Sequence, residues 1–326
     1  MKVAAVLVPR AGMFRRRPHQ LREVMRRLRD ARVDAHVSEH LSMLPFIIDD
    51  LEDVDCVSFW GGDGTLHRGL SQFRVQHGYF PLTHVTRVGT GNVVAADRGI
   101  TRHCLEQCVE ELSELVQREP DNVGYKDYPI LCARTDEDVQ YGFMFGTGLL
   151  NRFLAKFHDG QYGFGKFCRI VGGAAVSLVA PVGPLKRYRD ALFAKRPVTV
   201  ETDTAEGEQE LFGMLASAFP FTVYGTKAFR DAGGGINVLL LGGKPHQYVR
   251  QFGRCVMGSP PNSIIGNHVL DRVTFSDSGF SSFSFESEIY PWSDSPLELT
   301  REGMVRTVRP RSRYEPPVRV NLYNSV

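Results

Sequence analysis

The chain has 326 residues, which is too long for one ordinary domain and fits two. Hydrophobic residues make up 42% and charged residues 23%, which are ordinary values for soluble globular proteins and exclude a disordered chain, a coiled coil or a collagen-like protein. The 39 basic and 37 acidic groups give a net charge of +2 without long blocks of one sign, which argues against a nucleic-acid-binding protein.

The first residues and the cysteines are typical of a cytoplasmic protein. The apolar run at 3–8 is followed by the basic residues Arg15, Arg16 and Arg17, which is the reverse of a secretory signal. The six cysteines contain no Cys-x-x-Cys pair, so the spacing of a zinc site is missing from the sequence. The longest apolar stretch, residues 171–185, is interrupted by glycine and proline, and we predict a core helix there rather than a membrane element.

Short apolar runs alternate with helical patterns over the first 120 residues, which is typical of a parallel sheet covered by helices. From about residue 122 onwards, stretches that alternate with a period of two predominate, and one helical block interrupts them. We therefore predict an α/β domain at 1–122, completed by part of the tail at 303–326, and a mainly antiparallel β domain at 123–302. In chain order, the predicted strands are 3–8, 35–38, 54–60, 197–202, 209–224, 236–241, 269–275, 281–289 and 296–300, and the predicted helices are 21–28, 41–51 and 163–194.

The strongest functional signal is a glycine loop, Gly61-Gly62-Asp63-Gly64-Thr65, which follows an apolar strand and precedes a helix. In this arrangement, backbone N–H groups at the start of the helix point to the carboxyl end of the sheet and favour a phosphate. Asp63 would repel a phosphate directly, so the pattern makes most sense with a divalent cation between them. We predict that Thr65 caps the helix or donates to a phosphate. The alternative is a tight turn in which Asp63 merely caps the helix.

A second glycine loop, Gly89-Thr90-Gly91-Asn92, follows the next predicted strand and also leads into a helix. Asn92 suits the N-cap of that helix, and its amide can reach a phosphate or an adenine edge. The loop is not a dinucleotide fingerprint, because Val94 stands where the third glycine or alanine belongs. Two phosphate-type loops on neighbouring strands favour a nucleoside triphosphate as the ligand.

Together, the two loops resemble those of the diacylglycerol kinase catalytic-domain superfamily, which includes bacterial lipid kinases, sphingosine kinases and ceramide kinases. NAD kinases and phosphofructokinases are more distant relatives of that superfamily. The resemblance extends more loosely over most of the chain. The matching segments are Gly61 to Leu66, Gly89 to Ala95, Pro9-Arg10-Ala11-Gly12, 142–150, 234–238 and Phe285-Glu286-Ser287-Glu288.

The resemblance implies a three-layer α/β nucleotide-binding domain, similar to those of NAD kinase and phosphofructokinase, and a mainly antiparallel β-sandwich domain that binds the acceptor. It further implies transfer of the γ-phosphate of ATP to a hydroxyl of a lipid, such as a diacylglycerol, a sphingoid base or a ceramide-like lipid, with Mg²⁺ present. Asp63 would organise the metal and the phosphates or act as base, and otherwise the base would be Glu286 or Glu288. The residues expected to contact ATP are Arg10, Gly61, Gly62, Gly64, Thr65, Gly89, Thr90, Gly91 and Asn92.

Several positions depart from the superfamily pattern. Val8 replaces the asparagine of the first loop, and His67 and Arg68 stand where asparagine and glutamate are usual after the first glycine loop. Gly233 and Asn237 replace two aspartates of a structural metal site that some bacterial members have, so that site is in doubt here. Glu286 stands where aspartate is usual, and its extra methylene shifts the carboxylate by roughly 1 Å.

These departures keep two alternatives open. One is a nucleotide- or lipid-binding protein of this fold without kinase activity. The other is a kinase that phosphorylates a soluble small-molecule alcohol. A separate alternative for Glu286 and Glu288 is that they are outward-facing strand residues. The apolar and aromatic residues at 146–157 and 163–192 favour the lipid alcohol. We expect a cytoplasmic protein that contacts the membrane surface transiently and binds no nucleic acid, and a homodimer stays open.

Overall fold

The chain forms two compact units. Unit 1 contains residues 1–128 and the chain from 304 onwards, and unit 2 contains residues 129–303. The first boundary lies six residues after the one expected from the sequence, because a long strand begins at Tyr125 and runs across it. The computed structural model describes residues 1–86, 88, 93–97, 105–119, 123–159, 164–180, 182–203, 205–220, 222–223, 226–227, 229, 234–244, 267–286, 288–293 and 295–308.

Unit 1 is built on a parallel sheet with the strand order β2-β1-β3-β4, and the last residues of β18 pair beside β4. Strands β1 and β3 are buried along their whole length, as expected for parallel strands that helices cover on both faces. The strands are β1 (Val3–Leu7), β2 (Asp34–Val37), β3 (Cys56–Trp60), β4 (Leu82–Val85) and β18 (Leu297–Val308). The helices are α1 (Gly12–Arg16), α2 (Pro18–Asp30), α3 (Leu44–Asp49), α4 (Asp63–His77), α5 (Val93–Asp97) and α6 (Leu105–Val116).

An apolar core joins the sheet of unit 1 to α1, α2 and α6. Helix α2 buries Val24 and Leu28, one turn apart, and leaves most of its arginines in solvent, so its amphipathic pattern fixes which face meets the sheet. The rings of Phe14 in α1 and Trp60 at the end of β3 stack with their centroids 6.4 Å apart. This contact holds the loop that follows β1 against the end of β3.

A buried chain of polar groups crosses unit 1. Ser58 Oγ lies 2.8 Å from His84 Nδ1, and His84 Nε2 lies 3.0 Å from Glu111 Oε2. The order serine, histidine, carboxylate is that of a hydrolytic triad. However, Ser58 lies within β3 and has no exposed surface, so a substrate does not reach it. We interpret these bonds as a structural link between β3, β4 and α6.

In its described residues, unit 2 contains two antiparallel sheets that share one apolar core, together with a separate two-stranded hairpin of β11 and β12. One sheet has the order β14-β13-β10-β7-β16-β17, and the other contains β9, β8, β15 and the first part of β18 in that order. The rings of Phe145 in β7 and Phe275 in β15 stack between the two sheets with centroids 6.3 Å apart. The strands are β5 (Tyr125–Arg134), β6 (Val139–Gly142), β7 (Met144–Gly148), β8 (Arg196–Thr202), β9 (Glu206–Leu211), β10 (Gly213–Ser217), β11 (Thr222–Val223), β12 (Thr226–Lys227), β13 (Ile236–Leu241), β14 (Asn267–Leu270), β15 (Arg272–Ser276), β16 (Ser282–Phe285) and β17 (Glu288–Pro291).

The architecture confirms the predicted fold class, an α/β unit with a parallel sheet together with an antiparallel β-sandwich. Three strand predictions were wrong, because each segment contains more than one strand. The segment 209–224 contains parts of β9, β10 and β11, the segment 269–275 contains parts of β14 and β15, and the segment 281–289 is a hairpin of β16 and β17. The single helical block predicted at 163–194 consists of two helices, described next.

Three helices complete unit 2: α7 (Leu149–His158), α8 (Phe164–Val179) and α9 (Gly183–Leu192). Helix α7 packs on β7, β10 and β16, while α8 and α9 pack on each other and on α7. The prediction of a core helix at 171–185 was wrong, because Val176, Val179 and Val182 are exposed. In the part of the chain that the structure describes, no single helix is long and apolar enough to cross a membrane. The pair α8 and α9 reaches that length and hydropathy only across a sharp bend.

Candidate functional site

The loops after β1, β3 and β4 meet at the carboxyl edge of the parallel sheet in unit 1. The backbone N–H of Met13, after β1, donates to the carbonyl of Val88, after β4, over 3.2 Å. Thr86 Oγ1 donates to the carbonyl of Phe59 in β3 over 3.0 Å. Open α/β sheets bind their ligands at this edge, so the sequence motifs lie where a ligand is expected.

The first glycine loop is packed tightly against the helix that it precedes. A Cβ atom at Gly61 would collide with the side chain of Thr65, so only glycine fits there. Gly62 is the N-cap of α4, and its carbonyl accepts bonds from the N–H groups of Thr65 (3.0 Å) and Leu66 (3.2 Å). The prediction that Thr65 caps the helix was wrong. Its side chain is buried beneath the loop, as is Gly64.

Asp63 is the first residue of α4 and is half-buried. At this position its negative charge interacts favourably with the positive end of the helix dipole. Asp63 lines a small, open recess. The recess is lined by Phe59, Gly61, Gly62, Asp63, Leu66, Val85, Thr86 and Ala95.

The recess connects the first glycine loop to α5, the helix that follows the second loop. Ala95 of α5 lines it opposite the start of α4, and Val94 is buried beside it. The predicted ATP-contacting residues of the second loop lie outside the described residues. These are Gly89, Thr90, Gly91 and Asn92.

Arg10 is exposed in the loop after β1, where Ala11 N–H donates to the carbonyl of Val8 over 3.0 Å. Of the two residues that depart from the superfamily pattern after the glycine loop, His67 is fully buried and faces the interior. Arg68 is half-buried, so it is the one that brings positive charge towards solvent near the start of α4.

In unit 2, Glu286 lies at the turn between β16 and β17, where Phe285 pairs with Glu288. Its backbone is in the left-handed region, with a φ of +50°, which is unfavourable for a residue with a side chain. The carboxylate Oε1 accepts hydrogen bonds from the backbone N–H groups of Phe143 (2.7 Å) and Met144 (3.1 Å). Glu286 is buried, which contradicts the alternative that it is an outward-facing strand residue.

The strand that faces Glu286 is shaped to receive its side chain. A Cβ atom at Gly142 would lie 2.7 Å from Glu286 Oε2 and would also collide with Phe285, so a glycine permits the close approach.

Glu288, two residues on, is half-exposed. Burial lowers the pKa of His158 in α7, an effect that the charge of Glu288 partly opposes. The two glutamates therefore have different surroundings, and Glu286 is the one held in a fixed position.

A protein-built metal centre is absent from the described part of the chain, where no group of three or more His, Cys, Asp or Glu side chains could hold a metal ion. Asn237, predicted from the resemblance to replace a metal-binding aspartate, is fully buried in β13, and Gly233 lies outside the described residues. Mg²⁺ is commonly bound through one or two carboxylates together with substrate phosphates. The single carboxylate of Asp63 at the recess fits a Mg²⁺ ion of that kind.

Sequence reasoning missed Thr86 and the apolar wall of the recess. Thr86 directly follows β4, and a polar residue just after a buried parallel strand was a usable signal for it. The apolar wall, which includes Val85 and Leu66, carried no such signal because these side chains look like ordinary core residues.

Solved structures similar to this chain come from Bacillus anthracis strain Sterne. A diacylglycerol kinase crystal structure aligns with a TM-score of 0.62 and 15% sequence identity over 94% of this chain and 96% of that one. A proposed diacylglycerol kinase aligns with a TM-score of 0.59 and 15% identity over 94% and 96% of the two chains. Neither a protein-family model nor a curated protein matches this sequence.

Proposed function

Because this chain has the fold of the diacylglycerol kinase catalytic-domain superfamily, we propose that it transfers the γ-phosphate of ATP to a hydroxyl of a lipid. The observation that carries the proposal is the recess at the carboxyl edge of the parallel sheet. There, Gly61, Gly62 and Asp63 lie together at the start of α4. A kinase that uses ATP needs amides that bind phosphate and a carboxylate for the metal, and the glycine loop and the carboxylate of Asp63 at this recess support that assignment.

We propose that unit 1 binds the nucleotide. The N–H groups at the start of α4 lie at the positive end of the helix dipole, which favours a phosphate group. Asp63 would hold a Mg²⁺ ion, which neutralises phosphate charge when it is bound. Arg10 and the second glycine loop, 89–92, are the further residues proposed to contact ATP.

For the transfer itself, the acceptor oxygen forms a bond to the γ-phosphorus while the bond to the bridging oxygen of ADP breaks. The hydroxyl proton must pass to a base. We propose Glu286 for that role in preference to Glu288, because its carboxylate is held by two backbone donors. Asp63 stays the second candidate for the base.

The same hydrogen bonds favour a second candidate function. A carboxylate held by the N–H groups of Phe143 and Met144 stabilises the strand junction even if it accepts no proton from a substrate. A nucleotide-binding protein of this fold without transfer activity is therefore the alternative. It predicts that ATP raises the Tm while no phosphate is transferred.

The proposal is tested by incubating the purified full-length chain with labelled ATP and Mg²⁺ and extracting the product into chloroform. Diacylglycerol, sphingosine and ceramide serve as acceptors, and a mixture of soluble alcohols is assayed in parallel. We expect a labelled lipid product that Asp63→Asn abolishes. The matched control Asp53→Asn, at an exposed carboxylate of unit 1, should retain activity. Absence of labelled product with every acceptor would refute the kinase proposal, and label only in the soluble fraction would refute the lipid acceptor.

We also propose that the protein is cytoplasmic and reaches its lipid acceptor by transient contact with a membrane surface. A lipid alcohol resides in a bilayer, so an enzyme that phosphorylates it must contact the bilayer surface.

A further inference from the structure

The exposed apolar side chains of unit 2 concentrate where α8 ends and α9 begins. Val176, Val179 and Val182 are 52%, 77% and 69% exposed. We call these three residues the α8–α9 tip. In the described part of unit 2, the other large apolar side chains with similar exposure are Val269 and Ile289, which lie singly on strands. An apolar cluster left in solvent at the end of a helix pair indicates an interaction surface.

The helices that carry the tip, α8 and α9, pack against the rest of unit 2 on their inward sides. Ile170 and Ser177 of α8 and Leu192 of α9 are buried, so each helix has an inward side as well as the exposed one. Tyr188 OH of α9 donates to the carbonyl of Ile170 over 3.3 Å, and Arg152 of α7 donates to the carbonyl of Leu192 over 2.9 Å. The valines are therefore exposed because the helices are fixed in this orientation, and not because the helices lack a core.

The segment that contains the tip carries an excess of positive charge. Residues 164–196 contain seven basic residues and one acidic residue, a net charge of +6 in a chain whose total is +2. The acidic residue, Asp190, is paired with its neighbour Arg189 at 2.7 Å. Lys186 and Arg187 are exposed in the first turns of α9 and form no ion pair with any described residue. They follow Val182 by four and five residues, about 6–8 Å along a helix.

We propose that the α8–α9 tip docks the protein on an anionic membrane surface, with Val179 and Val182 entering the interface and Lys186 and Arg187 contacting lipid phosphates. A bilayer interface places apolar acyl chains directly beneath anionic phosphates, which is the arrangement that this tip complements. Long basic side chains next to an inserted apolar group reach the phosphate level while their stems stay apolar. A second copy of the chain is a poor partner for the tip, because it would bring the exposed Lys186 and Arg187 of the two copies together.

This inference deepens the proposed function, since it rests on a lipid acceptor for its purpose, but its test needs neither ATP nor acceptor. The full-length chain is mixed with vesicles of phosphatidylglycerol and phosphatidylcholine, or of phosphatidylcholine alone, and the bound fraction is measured by co-sedimentation. We expect binding to the anionic vesicles only, with a loss on adding salt. Vesicle binding without kinase activity would support the docking surface and refute the proposed kinase function. Kinase activity without vesicle binding would refute the docking surface.

Variants separate the apolar and the basic contributions. We expect the double variant Val179→Asn, Val182→Asn to weaken vesicle binding by about tenfold. The double variant Lys186→Glu, Arg187→Glu should weaken it by at least about tenfold. The matched controls are Val269→Asn, at an exposed valine of β14, and Arg22→Glu with Arg29→Glu, at exposed arginines of α2. The controls should bind as the wild type does, and each variant is first checked for an unchanged Tm.

An insertion probe gives a readout that does not depend on those variants. In Val179→Trp, the new indole is exposed, whereas the native Trp60 and Trp292 are buried. We expect its emission to shift to the blue when anionic vesicles are added. Equal vesicle binding by the tip variants and the wild type, an unshifted emission, or a tip variant that changes only the oligomeric state would overturn the proposal.

Discussion

The backbone N–H of Phe143 donates a 2.7 Å hydrogen bond to the carboxylate of Glu286, which lies more than a hundred residues further along the chain. The bond joins the residue between β6 and β7 to the turn between β16 and β17. Glu286 adopts a left-handed backbone conformation at this turn, and its carboxylate reaches the N–H groups at the start of β7. The residue that the superfamily resemblance singles out as a base is thus also a structural element of the sandwich.

This double role predicts that Glu286→Gln lowers the free energy of unfolding by about 1–3 kcal/mol, because a neutral amide oxygen accepts the two N–H bonds less strongly than a carboxylate. Glu288→Gln is the matched control, since Glu288 is half-exposed, and should change stability by less than about 0.5 kcal/mol. Urea denaturation of the three proteins measures the difference. Equal stabilities would show that the bonds to Phe143 and Met144 contribute little.

Gly61→Ala should destabilise unit 1 by about 1–3 kcal/mol and weaken ATP binding, because the new methyl group collides with Thr65 in the loop that lines the recess. The control is Gly172→Ala in α8, where a Cβ atom would meet nothing within 4 Å. That substitution should stabilise the chain by about 0.5–1 kcal/mol through the better helix propensity of alanine. Thermal unfolding with and without ATP tests both, and a Gly61→Ala protein that is as stable as the wild type would contradict the collision.

How far the sequence predicts this molecule can be judged at particular elements. The β3, glycine loop and α4 unit was predictable because a buried strand, tight-turn glycines and a helix each leave a local pattern. The hairpin at 281–289 was not, because Glu286-Ser287 lacks the Asn-Gly or Asp-Gly signature of a two-residue turn and the apolar alternation continues through it. The exposure of Val179 was not predictable from the sequence for another reason. Whether an apolar helix is covered depends on distant segments of the chain, and its own sequence does not specify them.

The buried chain from Ser58 through His84 to Glu111 provides a further prediction. Ser58→Ala removes the partner of His84 Nδ1 at a fully buried position, so we expect a loss of about 1–3 kcal/mol in the free energy of unfolding. Ser42→Ala, at an exposed serine, should cost almost nothing. A fluorophosphonate probe should not label Ser58 in the folded protein, because the side chain has no exposed surface. Labelling of Ser58 would contradict the structural role and indicate a hydrolase.

The lowered pKa of His158 makes the stability of the folded chain depend on pH. Burial in α7 lowers its pKa from the ordinary 6.5, Glu288 opposes this effect and Lys166 adds to it. As the pH falls below 6.5, the unfolded chain binds a proton at this residue before the folded chain does, so protonation favours unfolding. Stability should therefore fall as the pH decreases from about 7.5 to about 5.5, and His158→Gln should reduce that fall.

The measurement is the urea midpoint across this pH range for the wild type, His158→Gln and the control His19→Gln, whose histidine is exposed on α2. The control should follow the wild type. If His158→Gln leaves the acid slope unchanged, the destabilisation at low pH arises elsewhere, and burial of this imidazole does not determine it. Glu288→Gln should have the opposite effect on the slope, since removing its charge lowers the pKa of His158 further and widens the pH window over which stability is lost.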